Sequence, residues 1–233
     1  MASLAAGAVN GDPTGELAGG TSIAALPLFP LRRVLFPDGV LMLKVFEARY
    51  LDLVSQCLRS AQAFGVVCLL QGGEVRAQLR IGVHSEEAPA VCFETVGVLA
   101  RLTEVDSDQP GVLNVRCLGT QRFRLDAAAA QRGDGLWLGA AKLLDADAHV
   151  APPPSLQPSV HALAQALAAL QTRGAVPLAQ PYRYDDAGWV ANRWCEILPL
   201  PLADKQALMV LPDPLRRLQQ VQVVLRAKGV LSV

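Results

Sequence analysis

Between Ile23 and about Leu144, apolar residues come in short runs or alternate with polar ones, broken by turn residues: Phe64 to Leu70, Val91 to Leu102, Val112 to Leu118, Arg122 to Ala127 and Leu136 to Leu144. This pattern predicts a small, mostly antiparallel sheet, and with so many strands closure into a barrel is the expected way to remove exposed edges. The opening run carries prolines at 27, 30 and 37, each of which fixes φ and removes a backbone donor. It therefore runs extended, as a strand with a proline-marked edge, up to a turn at Asp38-Gly39 where glycine accepts positive φ. Val40 to Phe46 reads as the next strand. A helix opens at Glu47, whose carboxylate suits the positive end of the helix dipole, with Tyr50, Val54, Cys57, Leu58 and Ala61 on one face.

The pattern changes at Ala151-Pro-Pro-Pro-Ser-Leu-Gln-Pro158, where proline favours a stiff extended connection. Beyond it the period is helical. Leu163, Ala166, Leu167 and Leu170 form a stripe ending at Gly174, and Val190, Trp194, Ile197 and Leu198 form another that starts near Asp185 or Asp186 and stops at Pro199 and Pro201. A short helix covers Ala203 to Val210. The last has Asp213 as N-cap, Pro214 at the first position, Leu215, Leu218, Val221, Val224 and Leu225 inward, and Gly229 after its end. The predicted plan is α+β: a tail over residues 1–22, too poor in large apolar side chains to offset its ordering entropy, a barrel with an inserted helix over 23–150, a linker over 151–158, and a helical bundle over 159–233.

Composition narrows the classes of function. The 233 residues are 52% apolar, ample for a core, yet no run approaches the roughly 20 apolar residues of a membrane helix and no basic-hydrophobic leader opens the chain. A cytoplasmic, globular protein is expected. The cysteines at 57, 68, 92, 117 and 195 are odd in number, widely spaced and mostly within apolar runs, which favours small buried hydrophobes over a disulfide framework or a zinc site. With 21 basic and 21 acidic residues the net charge is zero, so no whole-molecule field recruits nucleic acid or anionic membrane.

Three segments carry a resemblance. Leu26-Pro-Leu-Phe-Pro-Leu-Arg-Arg-Val-Leu-Phe-Pro-Asp-Gly39 with Phe46-Glu-Ala-Arg-Tyr50 is the first; Val96-Gly-Val-Leu-Ala-Arg101 with Asn114 to Leu125, including Gly119-Thr-Gln-Arg-Phe123, is the second. Ala191-Asn-Arg193 through Leu198-Pro-Leu-Pro-Leu-Ala-Asp-Lys-Gln-Ala-Leu-Met209 to Leu218 is the third. In this order, from about residue 24 to 228, they resemble the N-terminal substrate-binding domain of Lon proteases. The resemblance implies a barrel related to the PUA domain followed by a helical bundle, and a role in recognising unfolded or tagged polypeptides. It marks Pro30, Pro37, Gly39, Glu47, Arg49, Tyr50, Gly97, Gly119, Arg122 and Phe123 as structural motif positions; because charges near a helix start commonly act locally, Glu47 is expected to serve the helix start and Arg49 to tie helix to barrel, with partner binding by the two as the alternative. Family members often carry Phe-Pro-Gly at the first turn and a proline in the next strand. This chain has Phe36-Pro-Asp-Gly39 and Met42, so its turn is expected to be one residue longer.

Catalytic patterns are missing. None of the four lysines (44, 142, 205 and 228) follows a glycine, so no P-loop is present, and no segment answers to the Ser-Lys protease domain of Lon; neither ATP hydrolysis nor proteolysis is expected. His84, His149 and His161 share no ligand or triad spacing, and Glu86-Glu87 reads as a solvated turn. Trp189 and Trp194 read as one core and one boundary aromatic. No catalytic residue, metal or cofactor is assigned. The expected partner is an unfolded polypeptide, captured in an apolar groove or on an open sheet edge, with Leu28, Phe29 and Leu31 as candidate groove residues. An adaptor for one folded partner is a second reading. A third is RNA binding by Arg32, Arg33, Arg122 and Arg124, since all but four of the basic residues are arginines, although the neutral net charge opposes it.

Overall fold

A computed structural model describes residues 21–73, 91–173 and 179–231. The expected tail, His84, the Glu86-Glu87 pair and the Gly174 cap fall outside the described residues, except for the tail's last two positions. Strands β1 (Ser22–Leu31), β2 (Val40–Val45), β3 (Phe64–Gln71), β4 (Cys92–Phe93), β5 (Val96–Gln109), β6 (Val112–Leu125), β7 (Ala130–Gln131) and β8 (Trp137–Leu143) form one sheet, with helix α1 (Ala48–Ser60) between β2 and β3. Pairings run β1 to β3, β3 to β5, β5 to β6, β6 to β8 and β8 back to β1, so the ring closes. Only β1 with β3 is parallel, because α1 and β2 intervene between them.

Alternation along β1 explains how its proline-rich run is buried on both faces. Leu26 and Leu28 enter one hydrophobic cluster with Val67, Phe123, Leu125 and Ala141, whereas Phe29 and Leu31 enter the other. Two expected strands, Val112 to Leu118 and Arg122 to Ala127, are a single strand, β6. The polar Gly119-Thr-Gln121 that suggested a break is where another loop crosses the strand: a Cβ on Gly119 would lie 2.3 Å from the Phe36 carbonyl oxygen. In α1, Glu47 holds the N-cap position without a side-chain cap bond, and Leu58, expected inward, is exposed; the buried face is Tyr50, Leu53, Val54 and Cys57.

The proline-rich segment is not a free extended connection. Pro154–Leu156 form a 3₁₀ turn and α2 (Gln157–Thr172) starts at once, with Leu156 buried. Proline at the first turn of a helix loses no helical hydrogen bond, which is why the segment tolerates this geometry. Helices α3 (Ala187–Ile197), α4 (Leu202–Val210) and α5 (Pro214–Ala227) follow. Asp186 and Asp213 cap α3 and α5, each accepting from two backbone N–H groups. Trp189 and Trp194 are both buried, correcting the expectation of one boundary aromatic, because α3 is covered nearly all round. The larger hydrophobic cluster joins Val96, Val115 and Cys117 of the barrel to Leu163, Trp194 and Leu218 of the bundle, so the two halves share a core. No helix among the described residues is long and apolar enough to cross a membrane.

Candidate functional site

Two places combine charge with apolar surface: the joint between barrel and bundle, and a seam beside β2. At the joint, Arg122 of β6 and Arg217 of α5 share Asp147. Arg122 also donates to the carbonyls of Met209 (3.1 Å) and Leu211 (3.2 Å), and Arg217 to Leu208 O (2.9 Å) and Asn192 Oδ1 (3.0 Å). Both guanidiniums are buried and every contact is to a carboxylate, amide or carbonyl oxygen, the arrangement a buried charge requires. Arg193 of α3, fully buried, forms the second knot. It donates to the carbonyls of Pro37 (2.8 Å) and Asp38 and pairs with Glu196 (3.0 Å), while Arg183 pairs with Asp38.

This second knot holds the turn at Asp38-Gly39. Asp38, not Gly39, takes the positive φ (60°), and its carbonyl accepts from Arg193. Gly39 is needed for another reason: a Cβ there would lie 2.1 Å from Glu196 Oε1 and 2.8 Å from the Phe36 carbonyl oxygen. Burial pushes the Glu196 carboxyl up to about 7, against the opposing pull of Arg193, and burial likewise lowers Arg193. A cavity of about 360 Å³ remains at the joint, bordered by Asp38, Arg122, Asp147, Arg183 and Trp189. Four of the charged groups around it are tied in pairs, Arg183 with Asp38 and Arg122 with Asp147.

The seam is different. Along β6, β8 pairs only with Phe123 to Leu125 and β2 with Leu113 to Leu118, so β2 occupies the place below β8. Among the described residues β2 pairs with β6 alone, and β1 beyond Leu28 has left β8. The Gly119 N–H donates to Gly39 O at 2.8 Å; the antiparallel alternation that follows turns the backbone groups of Leu41, Leu43 and Val45 toward β6 and those of Val40, Met42 and Lys44 toward the open side. Met42 and Phe46 are each 52% exposed there. Three connected hollows follow this edge. One of about 180 Å³ is bordered by Phe29, Leu31, Phe46 and Tyr50, one of about 260 Å³ by Leu31, Arg32 and Leu43, and one of about 570 Å³ by Arg33, Val34, Leu35, Leu200, Leu202 and Lys205; Met42 borders all three.

The sequence-derived candidates separate on this geometry. Leu28 is fully buried inside the barrel and does not reach the seam, because it lies on the opposite face of β1 from Phe29 and Leu31. Those two are 7% exposed and present only an outer rim, and Phe29 is stacked on Tyr50 with ring centroids 3.8 Å apart. Pro30 is buried beside them. Glu47 pairs with Arg49 at 3.0 Å, and Arg49 donates to the Gly135 carbonyl at 2.8 Å, linking α1 to the turn before β8. Gly97 admits Phe123 and the Val66 carbonyl, which would lie 2.7 and 2.3 Å from a Cβ. Arg122 is taken by Asp147, so the four-arginine phosphate patch does not form. Met42, Phe46 and Lys205 were not singled out from sequence; exposure on an edge strand and proximity across the fold mark them, and neither is visible in a local pattern.

The chain matches, over residues 25–227, a family model described as the ATP-dependent protease La (LON) substrate-binding domain. It belongs to that family. Among solved structures it is similar to the Lon N-terminal domain protein from Xanthomonas campestris, at 32% identity over 86% of this chain and 98% of that one, with a TM-score of 0.65. The N-terminal domain of the Mycobacterium avium complex Lon protease shares the fold at 16% identity, covering 84% of this chain and 95% of that one, with a TM-score of 0.52. No curated protein matches the chain.

Proposed function

We propose that the chain is a non-catalytic polypeptide-binding module that captures extended, unfolded segments along the seam beside β2. The observation that carries this reading is the unpaired β2 edge flanked by the half-exposed Met42 and Phe46. An extended segment would gain main-chain hydrogen bonds from Met42 and Lys44, and its apolar side chains would cover Met42, Phe46 and the rims of Phe29 and Leu31. Phe29 and Leu31 thus keep a part in the seam, as its floor. The family's substrate-binding description supports the same reading. Edge strands are normally blunted by charge, and here Lys44 is the one charged side chain on β2.

A fluorescence anisotropy titration with a labelled, permanently unfolded polypeptide tests this. Saturable binding that a folded protein does not displace, and that Phe46→Ser weakens at least tenfold with unchanged melting, is the expected result. Absence of binding up to high concentration overturns it and turns attention to one folded partner.

A further inference from the structure

The end of the seam at Val40 is basic, whereas the end at Phe46 carries one lysine and one glutamate, Lys44 and Glu47. The hollow of about 570 Å³ there is bordered by Arg32, Arg33 and Lys205, with Val34, Leu35, Leu200 and Leu202 as its apolar walls. Arg33 is exposed and, among the described residues, has neither hydrogen bond nor ion pair, unlike the paired arginines of the joint. Among the described residues the Lys205 ammonium donates one hydrogen bond, to the backbone carbonyl of Glu196 at 3.3 Å. The Glu196 carboxylate also borders the hollow, but it is already matched by Arg193. Net positive charge over an apolar cup suits an anion carried on an apolar group.

Strand polarity says which anion. β2 runs from Val40 to Val45, so a segment added antiparallel to it runs from the Val45 end to the Val40 end and brings its C-terminus to the basic hollow. A segment added parallel would bring an N-terminal ammonium there, against like charge. We propose that this hollow is a C-terminus pocket: the free α-carboxylate of a bound polypeptide meets Arg33 and Lys205, and its last apolar side chain enters the cup of Val34, Leu35, Leu200 and Leu202. The proposal rests on the reading of the seam as a polypeptide site and adds the class of polypeptide it selects, chains with an exposed apolar C-terminus.

The test uses the full chain and fluorescein-labelled octapeptides of alternating threonine and valine ending in leucine, made with either a free C-terminal carboxylate or a carboxamide. The carboxylate peptide is expected to bind at least tenfold more tightly. Arg33→Ala and Lys205→Met should each remove most of that advantage while leaving carboxamide binding and the melting temperature unchanged. Decanoate, which has the charge and an apolar chain but no peptide backbone, should not displace the peptide at concentrations near the peptide's Kd. Equal affinity for the two peptides, or displacement by decanoate, overturns the pocket. If neither octapeptide binds while the long unfolded polypeptide does, terminus selection is wrong and the seam stands; if nothing binds, both readings fall.

Discussion

The joint and the seam are made of the same materials, arginines beside large apolar side chains, and they use them oppositely. At the joint, Arg122, Arg193 and Arg217 are buried and spend their donors on carbonyls of Pro37, Leu208, Met209 and Leu211 and on the carboxylates of Asp147 and Glu196. At the seam, among the described residues, Arg33 is exposed with neither hydrogen bond nor ion pair, β2 has an open edge, and Met42 and Phe46 are half exposed. A buried charge must be matched or the fold loses several kcal/mol, so these three arginines are committed to holding the joint. The seam, on the surface, can leave its groups unmatched at little cost. Arginine count therefore says nothing about binding here; the saturation of each arginine does.

The largest loss of stability is expected at the joint. Arg217→Met leaves Asp147 with one partner and strips three main-chain and amide contacts, and should cost about 3–5 kcal/mol, read as a lowering of the thermal midpoint by roughly 10 °C or more. Phe29→Ala sits where the two regions meet. Because the ring is stacked on Tyr50 and forms part of the seam floor, the expected loss is again about 3–5 kcal/mol, and a variant that melts like the parent while losing polypeptide binding would show that the ring serves the seam alone.

Within β2 the contrast becomes a matter of alternate residues. Leu43→Pro removes a donor used by β6 and should cost about 3 kcal/mol, whereas Met42→Pro removes one that faces outward and should cost far less while abolishing strand addition. Urea unfolding midpoints for the pair decide it; equal losses would contradict the deduced alternation.

A smaller effect follows from Glu196. The folded chain holds its proton up to about pH 7, and the ordinary carboxyl releases it near 4.5. Stability contributed by this group is therefore complete below about pH 4.5 and is lost as pH rises through about 7, by up to about 3 kcal/mol. Glu196→Gln should flatten that part of the melting-temperature profile. A profile identical in parent and variant would remove Glu196 from the account.

Much of the architecture was legible locally. The caps at Asp186 and Asp213, the prolines that open α5 and keep β1 extended, and the helical stripe of α2 are short-range signals, set by φ restriction, N–H capping and the 3.6-residue period. What misled was local as well. Gly119-Thr-Gln121 looked like a turn inside β6, Asp38-Gly39 looked like a glycine-led turn, and Leu28 looked like a candidate for the same surface as Phe29.

These errors share a cause. Gly119 is a glycine because the Phe36 carbonyl, distant in sequence, occupies the space a Cβ would need, Asp38 rather than Gly39 takes the positive φ where its carbonyl meets Arg193, and Leu28 parts from Phe29 because α1 covers one face of β1 and the barrel interior the other. The chain's local pattern was enough to separate the strand-rich part from the helical part and to place the starts of α3 and α5, since these depend on neighbours within a few residues. Only the tertiary structure decided which arginines are saturated, which edge of the sheet stays open, and that Arg33 and Lys205, 172 positions apart in the chain, border one hollow at the end of that edge. Those outcomes depend on which donors and surfaces remain unused after the whole chain has packed.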